Sequence, residues 1–170
     1  MRAPGLTQPG FEPNRVNVSI SAVQHVPARL TVVTLGARDL ARLRSFYSAL
    51  GWEVAIEAED FCAFQLRGAL LALFPREKLA ADGQARAAAP ARGMRGFSLG
   101  INVDRPEQVD EAIAAAENAG ATVTKPPSAP AEFGGRDAYF ADPEENYWEV
   151  VYLRGDGPGQ QAIERALGEP

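Results

Sequence analysis

The chain repeats one folding unit. A strand, a helix and three strands are predicted between about Leu30 and Phe74, and the same order returns between Phe97 and Leu153. In the first unit Leu30–Leu35 is a β-branched run and reads as a strand. Asp39 is placed to cap a helix through about Leu50, on which Leu40, Leu43, Tyr47 and Leu50 form one apolar stripe widened by Phe46. Gly51 stops that helix. Trp52–Ile56, Phe61–Leu66 and Ala69–Phe74 follow as strands, the last two joined by a short hairpin connection at Arg67-Gly68. In the second unit Phe97–Val103 is the strand, Asp104 and Glu107 have capping-box spacing, and Val109, Ile113, Ala116 and Gly120 form the helical stripe with Ala112 beside it. Ala121–Thr124 is a strand, and Pro126, Pro127 and Pro130 predict a stiff loop. Arg136–Ala141 and Tyr147–Leu153 form a hairpin around Asp142-Pro143. Val32 therefore corresponds to Ser98, and the helix-ending Gly51 to Gly120. A repeat of this kind implies two halves packed with pseudo-symmetry.

The flanks are different in character. Residues 1–28 read as an N-terminal extension, disordered over the Pro/Gly-rich first 14 residues. Val16, Val18 and Ile20 then alternate with polar residues as a candidate edge strand that Pro27 cuts short. Modules at 29–75 and 96–153 are separated by a linker, 76–95, with room for one helical turn around Glu77–Ala81. The tail, 154–170, carries a weak helical stripe at Ala162, Ile163 and Leu167.

Charge and composition narrow the function. With 17 Lys and Arg against 22 Asp and Glu the net charge is −5, so no basic footprint for nucleic acid is present. No apolar run approaches the ~20 residues of a membrane span. Arg2 is followed by Pro4, Gly5, Pro9 and Gly10 rather than an apolar signal core, so a soluble cytoplasmic protein is expected. Cys62 and His25 are single. They leave no internal disulfide, no thiolate zinc site, no multi-histidine metal cage and little basis for a Ser-His-Asp triad.

Two motifs are specific. Thr34-Leu35-Gly36-Ala37-Arg38-Asp39-Leu40, Phe46-Tyr47 and Gly51-Trp52-Glu53-Val54 resemble the opening of the vicinal oxygen chelate superfamily of glyoxalase I, bleomycin-resistance proteins and extradiol dioxygenases. Phe140-Ala141-Asp142-Pro143-Glu144-Glu145-Asn146-Tyr147-Trp148-Glu149 resembles its closing hairpin, and the likeness spans about residues 30–153. The fold class this implies is α+β, two βαβββ modules forming a cupped mixed sheet with helices outside and the ligand or metal inside the cup. The family's metalloenzymes carry a ligand on four strands, and the corresponding places here hold Val32, Ala72, Ser98 and Glu149. A divalent site needs two or more protein ligands. The resemblance thus implies a metal-free member without a cofactor.

Strand alternation supplies the cup lining. If those four places face inward, so do Thr34, Leu70, Phe74, Gly100, Asn102, Tyr147 and Val151. The opposite parity puts Val33, Leu35, Leu71, Leu73, Leu99, Ile101, Trp148 and Val150 beneath the helices. Glu149 is the candidate general base, since burial among apolar neighbours disfavours a carboxylate's charged form; a structural ion pair with Arg136 or another arginine on the neighbouring strands is the equal alternative. Tyr147, Asn102 and Ser98 are candidate hydrogen-bonding groups, and the Gly134-Gly135 pair a simple loop or a hinge. Cys62 reads as buried filler, Trp52 as packing at a sheet edge, and Arg86, Arg92 and Arg95 as a solvated linker. Glu145 stands where the family's turn has Gly, and Asn146 is expected to supply a positive φ there.

The favoured reading is a metal-independent protein binding a small organic molecule in a cup closed by a second copy of the chain. The alternatives are a lyase, isomerase or dioxygenase using Glu149 as base or as its sole retained metal ligand, and a structural dimer with a filled cup.

Overall fold

The computed structural model describes residues 26–88, 93–129, 134–155 and 157–168. The extension's candidate strand, His25, Arg92 and Phe133 lie outside the described residues. The first module runs β1 (Val32–Ala37), α1 (Leu40–Ala49), β2 (Val54–Ala58), β3 (Phe61–Leu66), β4 (Ala69–Pro75). After α2 (Arg76–Asp82) the second module runs β5 (Leu99–Asn102), α3 (Glu107–Asn118), β6 (Thr122–Ser128), β7 (Arg136–Ala141), β8 (Tyr147–Tyr152), and α4 (Pro158–Leu167) closes the chain. The repeat is exact in topology: one sheet is ordered β1-β4-β3-β2 and the other β5-β8-β7-β6. In each the first and last strands are parallel neighbours and the rest pair antiparallel. This is the α+β arrangement of two βαβββ modules.

Local chemistry accounts for most boundaries. The Asp39 carboxylate accepts from Arg42 N at 2.9 Å, and Gly51 leaves α1 at φ +82°. At α3 the reciprocal cap comes one residue later than the spacing suggests. Gln108 Oε1, rather than Glu107, accepts from the backbone N–H groups of Asp104 and Arg105, both at 2.9 Å. Pro126 and Pro127 are not a loop but part of β6. They are tolerated because β6 is an edge strand whose pairing with β7 shifts register between Lys125 and Ser128, so few ladder donors are missed. The turn around Glu77 and the tail stripe are both realised as helices, α2 and α4.

Both sheets turn the same parity to one core. Leu35, Leu71, Leu73, Trp148 and Val150 are buried in a single cluster with Leu43, Phe46 and Tyr47 of α1 and Val109, Ile113 and Ala116 of α3. Val33, Leu99 and Ile101 pack against it. The expected helix-side set is therefore the core. Phe46 meets Phe140 at 6.4 Å and Tyr47 meets Trp148 edge-on at 5.8 Å, so α1 of the first module packs directly on the second sheet. Trp52 lies just ahead of the edge strand β2, at the expected sheet edge, and packs inward from there. It stacks on Tyr47 at 5.1 Å and abuts Trp148 at 5.2 Å, in the seam between modules. Cys62 is buried, and burial raises its thiol pKa, as inert filler requires.

A buried polar knot locks the seam. Tyr47 donates its hydroxyl to Asp142 Oδ2 at 2.6 Å and accepts from Trp148 Nε1 at 3.1 Å. The other Asp142 oxygen accepts from Glu144 N and Asn146 N at 2.8 and 2.9 Å. Burial and the neighbouring Asp142 charge hold the Tyr47 phenol neutral, its pKa far above the ordinary value. Next to it the buried Glu144 carboxylate accepts from Arg38 N and Asp39 N at 2.6–3.0 Å, at the N-terminal end of α1. Removing one partner from such a network strands the others, at a cost of about 1–3 kcal/mol. Tyr47→Phe is expected to lower unfolding stability by that amount in urea titration with an unchanged slope; no loss would mean that the knot is dispensable.

Candidate functional site

The faces turned away from the core carry the predicted site residues, in two groups on two sheets. On the first sheet the cross-strand rows are Val32, Leu70 and Gln65, then Thr34, Ala72, Ala63 and Ile56. Phe74 lies beside Phe61 with ring centroids 6.3 Å apart. That face is apolar, and Val32 and Ile56 remain 43% and 47% exposed. On the second sheet one row reads Gly100, Glu149, Tyr139 and Lys125, and the next reads Asn102, Val151 and Asp137, with Ser128 opposite Asp137. That face is polar. Ser98 immediately precedes β5, Tyr147 is half-buried and Asn102 is exposed. No strand pairing joins the two sheets, so Val32, Thr34, Leu70, Ala72 and Phe74 form one surface and Asn102, Tyr147 and Glu149 another.

Glu149 has a different partner from the one expected. Arg136 lies on the core-side parity of β7 and forms a two-pronged ion pair with Asp110 of α3, both bonds 2.7 Å. Glu149 instead lies directly across from Tyr139 on β7 and acts on its phenol. Burial first, then hydrogen bonding to Glu149 and its charge, push the Tyr139 phenol up to about 12. Lys125 stands 5.8 Å from the Tyr139 ring centre and pairs with Asp137, which is only 4% exposed. The Lys125–Asp137 pair neutralises itself, so Glu149 is the one carboxylate of the row without a cation among the described residues. Beside it, a Cβ placed on Gly100 would meet nothing within 4 Å, which leaves open space against the carboxylate. Sequence reasoning missed Tyr139, Lys125 and Asp137, because their approach to Glu149 depends on the β6–β7–β8 register. The sole signal was the alternating parity of Asp137 and Tyr139.

The family's metal places do not suit a metal here. Val32 and Ala72 offer no donor, Ser98 a neutral hydroxyl, and Glu149 is already engaged by Tyr139. Among the described residues no three His, Cys, Asp or Glu side chains are grouped to hold a metal ion. A carboxylate–phenol pair beside an open glycine is suited to hydrogen-bonding a ligand that carries a donor.

The closing turn departs from expectation at its tip. Glu145 itself, not Asn146, adopts the positive φ of +64°. Its cost, of order 1 kcal/mol, is offset by contacts a glycine could not make: the Glu145 carboxylate accepts from Gly93 N at 3.2 Å. Arg95 is likewise no solvated linker residue, since its guanidinium donates to Glu145 O at 3.0 Å and to Asn146 Oδ1 at 2.9 Å.

The sequence profile of the Glyoxalase/Bleomycin resistance protein/Dioxygenase superfamily matches residues 29–150. The chain belongs to that superfamily. Solved members share the fold. A glyoxalase-related enzyme from Fulvimarina pelagi is 28% identical with a TM-score of 0.67, covering 74% of this chain and 88% of its own. A glyoxalase/bleomycin resistance protein/dioxygenase from Nocardioides is 25% identical with a TM-score of 0.67, covering 81% and 92%. A lactoylglutathione lyase from Agrobacterium tumefaciens, at 24% identity and a TM-score of 0.57 over 74% and 94%, shows the fold alone. No curated protein matches the chain. Among the described residues no helix is long and apolar enough to cross a membrane.

The pair at this superfamily site makes a titration prediction. The folded Tyr139 value of about 12 lies above the ordinary 10.0, so its neutral phenol contributes stability that is complete below pH 10 and lost as pH rises through 12. Glu149→Gln removes two of the raising causes but not burial. The Tyr139 midpoint, followed by phenolate absorbance or ring NMR shifts, is expected to fall toward 10 without reaching it. An unmoved midpoint would mean that the Tyr139–Glu149 bond does not form.

Proposed function

We propose that this superfamily member binds a small organic molecule and works without a family-type metal centre. The observation that carries the reading is the donor set: Val32, Ala72 and Ser98 stand at three of the four family places, and at the fourth Glu149 stands across from Tyr139. The ligand sits against the Glu149 row, with a donor group on the carboxylate in the space beside Gly100. Lys125, neutralised by Asp137, packs over Tyr139 and holds the phenol on Glu149.

A second copy of the chain completes the cup. The support is geometric: each chain turns its apolar and its polar outward faces away from one shared core, so a single chain does not close them over one ligand. Exposed Val32 and Ile56 on the first face are the kind of apolar surface that a partner covers. Cytoplasmic location fits this reading.

The test is metal analysis of protein purified without chelators, with thermal unfolding in Ni²⁺, Zn²⁺, Mn²⁺ and Fe²⁺. A metal at about 100 times its Kd would add about 2.7 kcal/mol, several degrees of Tm. Substoichiometric metal and an unchanged Tm are expected; a stoichiometric ion or a specific rise would overturn the proposal. A catalytic role for Glu149 is a separate outcome, read as loss of turnover in Glu149→Gln in any assay to which the wild type responds. For the assembly, light scattering is expected to give a dimer that Val32→Glu dissociates without unfolding, and a wild-type monomer would sink the shared cup.

A further inference from the structure

A second opening adjoins the Glu149 row, with Gly100 on their common border. It is a cleft of about 330 Å³ between the seam of the modules and the C-terminal helix. Trp52, Leu66 and Arg67 of the first module form one wall, and Ile101 and Asn102 of β5 the floor, with Trp148 behind them. The outer wall is α4 alone, through Gln160, Ile163, Glu164 and Leu167. That volume is at the lower end of small-ligand sites, and the lining presents polar and apolar surface in about equal measure.

Three observations set the chemistry of an occupant. The cleft exposes indole surface, and indole faces are the best aromatic partners for cations. Two carboxylates, Asp104 and Glu164, stand against one guanidinium, Arg67, so the lining carries an excess negative charge. Gln160 Nε2 donates to Glu164 Oε1 at 3.1 Å, which fixes that carboxylate on the helix. α4 contributes apolar Ile163 and Leu167 to the cleft although none of its residues is fully buried. An apolar helix edge placed over an unfilled cleft is a wall that a ligand would complete.

We propose that this cleft is a second binding site, for a small organic ammonium compound whose apolar body lies between Trp52 and the Ile163–Leu167 edge of α4 and whose ammonium group is held by Glu164. The site borders the Glu149 face at Gly100 but takes its charged contact from α4 rather than from Glu149, and it needs no metal. It couples the C-terminal helix to the module seam, because the same Trp52 that lines the cleft stacks on Tyr47 of the buried knot.

The chain provides its own reporter, since both of its tryptophans, Trp52 and Trp148, line the cleft. The experiment titrates the full chain with 2-phenylethylammonium and, separately, with phenylacetate, reading tryptophan emission. Saturable change with the ammonium compound, and at least tenfold weaker binding of the carboxylate, are expected. Ile163→Asp is expected to weaken binding at least tenfold and Glu164→Gln several-fold, both on an exposed helix where folding, checked by circular dichroism, is preserved. Glu149→Gln is expected to leave the titration unchanged, which separates this site from the proposed cup. Emission indifferent to both compounds overturns the site, equal binding of the two overturns the ammonium class, and weakening by Glu149→Gln as large as that by Ile163→Asp overturns the location.

Discussion

Everything outward-facing in this protein depends on the hydrogen bonds that Asp142 gathers. Its carboxylate receives the Tyr47 hydroxyl from one module and two backbone N–H groups from its own turn, and Trp148 completes the chain through Tyr47. Such a buried carboxylate is tolerable only when fully satisfied, and no buried side-chain polar atom among the described residues lacks a partner. Satisfaction demands that α1 of the first module lie against the β7–β8 turn of the second. Glu144 repeats the demand by taking the first N–H groups of that helix end. With the two helix-side faces committed to each other, each sheet has only its other face left for function.

That division was legible in the sequence because it rests on parity. Alternation in Leu35, Leu71, Leu73, Trp148 and Val150 separates core from outward face without any knowledge of how the sheets meet. Where one strand's chemistry depends on another's register, legibility ends. Glu149 could be placed on the outward face from its own strand alone. Its partner could not, because Tyr139 becomes its neighbour only through the β7–β8 pairing, and Arg136, nearer in the imagination of a charge-pair argument, points to the helix side. The Pro126-Pro127 pair misleads for a related reason: whether a proline breaks a strand depends on the strand's being at an edge, which is a property of the sheet. Glu145 shows the same limit at a single residue. The turn chemistry asks for glycine, and the compensation comes from the Gly93 N–H on the Glu145 carboxylate, about fifty positions away.

The two outward faces differ in a way that bears on chemistry. The first is built from small and apolar residues in register, Thr34, Ala72 and Ala63 across three strands, and presents shape rather than charge. The second carries an acid, a phenol and a self-neutralised ion pair in adjacent rows. A family metal would need donors from both faces. Here one face has none, so the remaining carboxylate faces only its own sheet, and the phenol across from it on β7 is held neutral across the physiological range.

The edge strand β5 explains why one chain can carry two distinct openings. It is only four residues long and pairs on one side with β8, leaving its other edge and its outward face available while Leu99 and Ile101 pack toward the core. Gly100 opens space beside Glu149 on the outward face, while Ile101 faces the seam where Trp52 stands. α4 has no buried residue of its own and turns Ile163 and Leu167 toward the cleft. A helix so weakly anchored gains most from a ligand that fills the gap beneath it, since occupancy would convert two half-exposed apolar surfaces into one buried contact. The rigid knot and the lightly held helix therefore meet at Trp52, which is the residue through which an event in the cleft would be felt by the module seam.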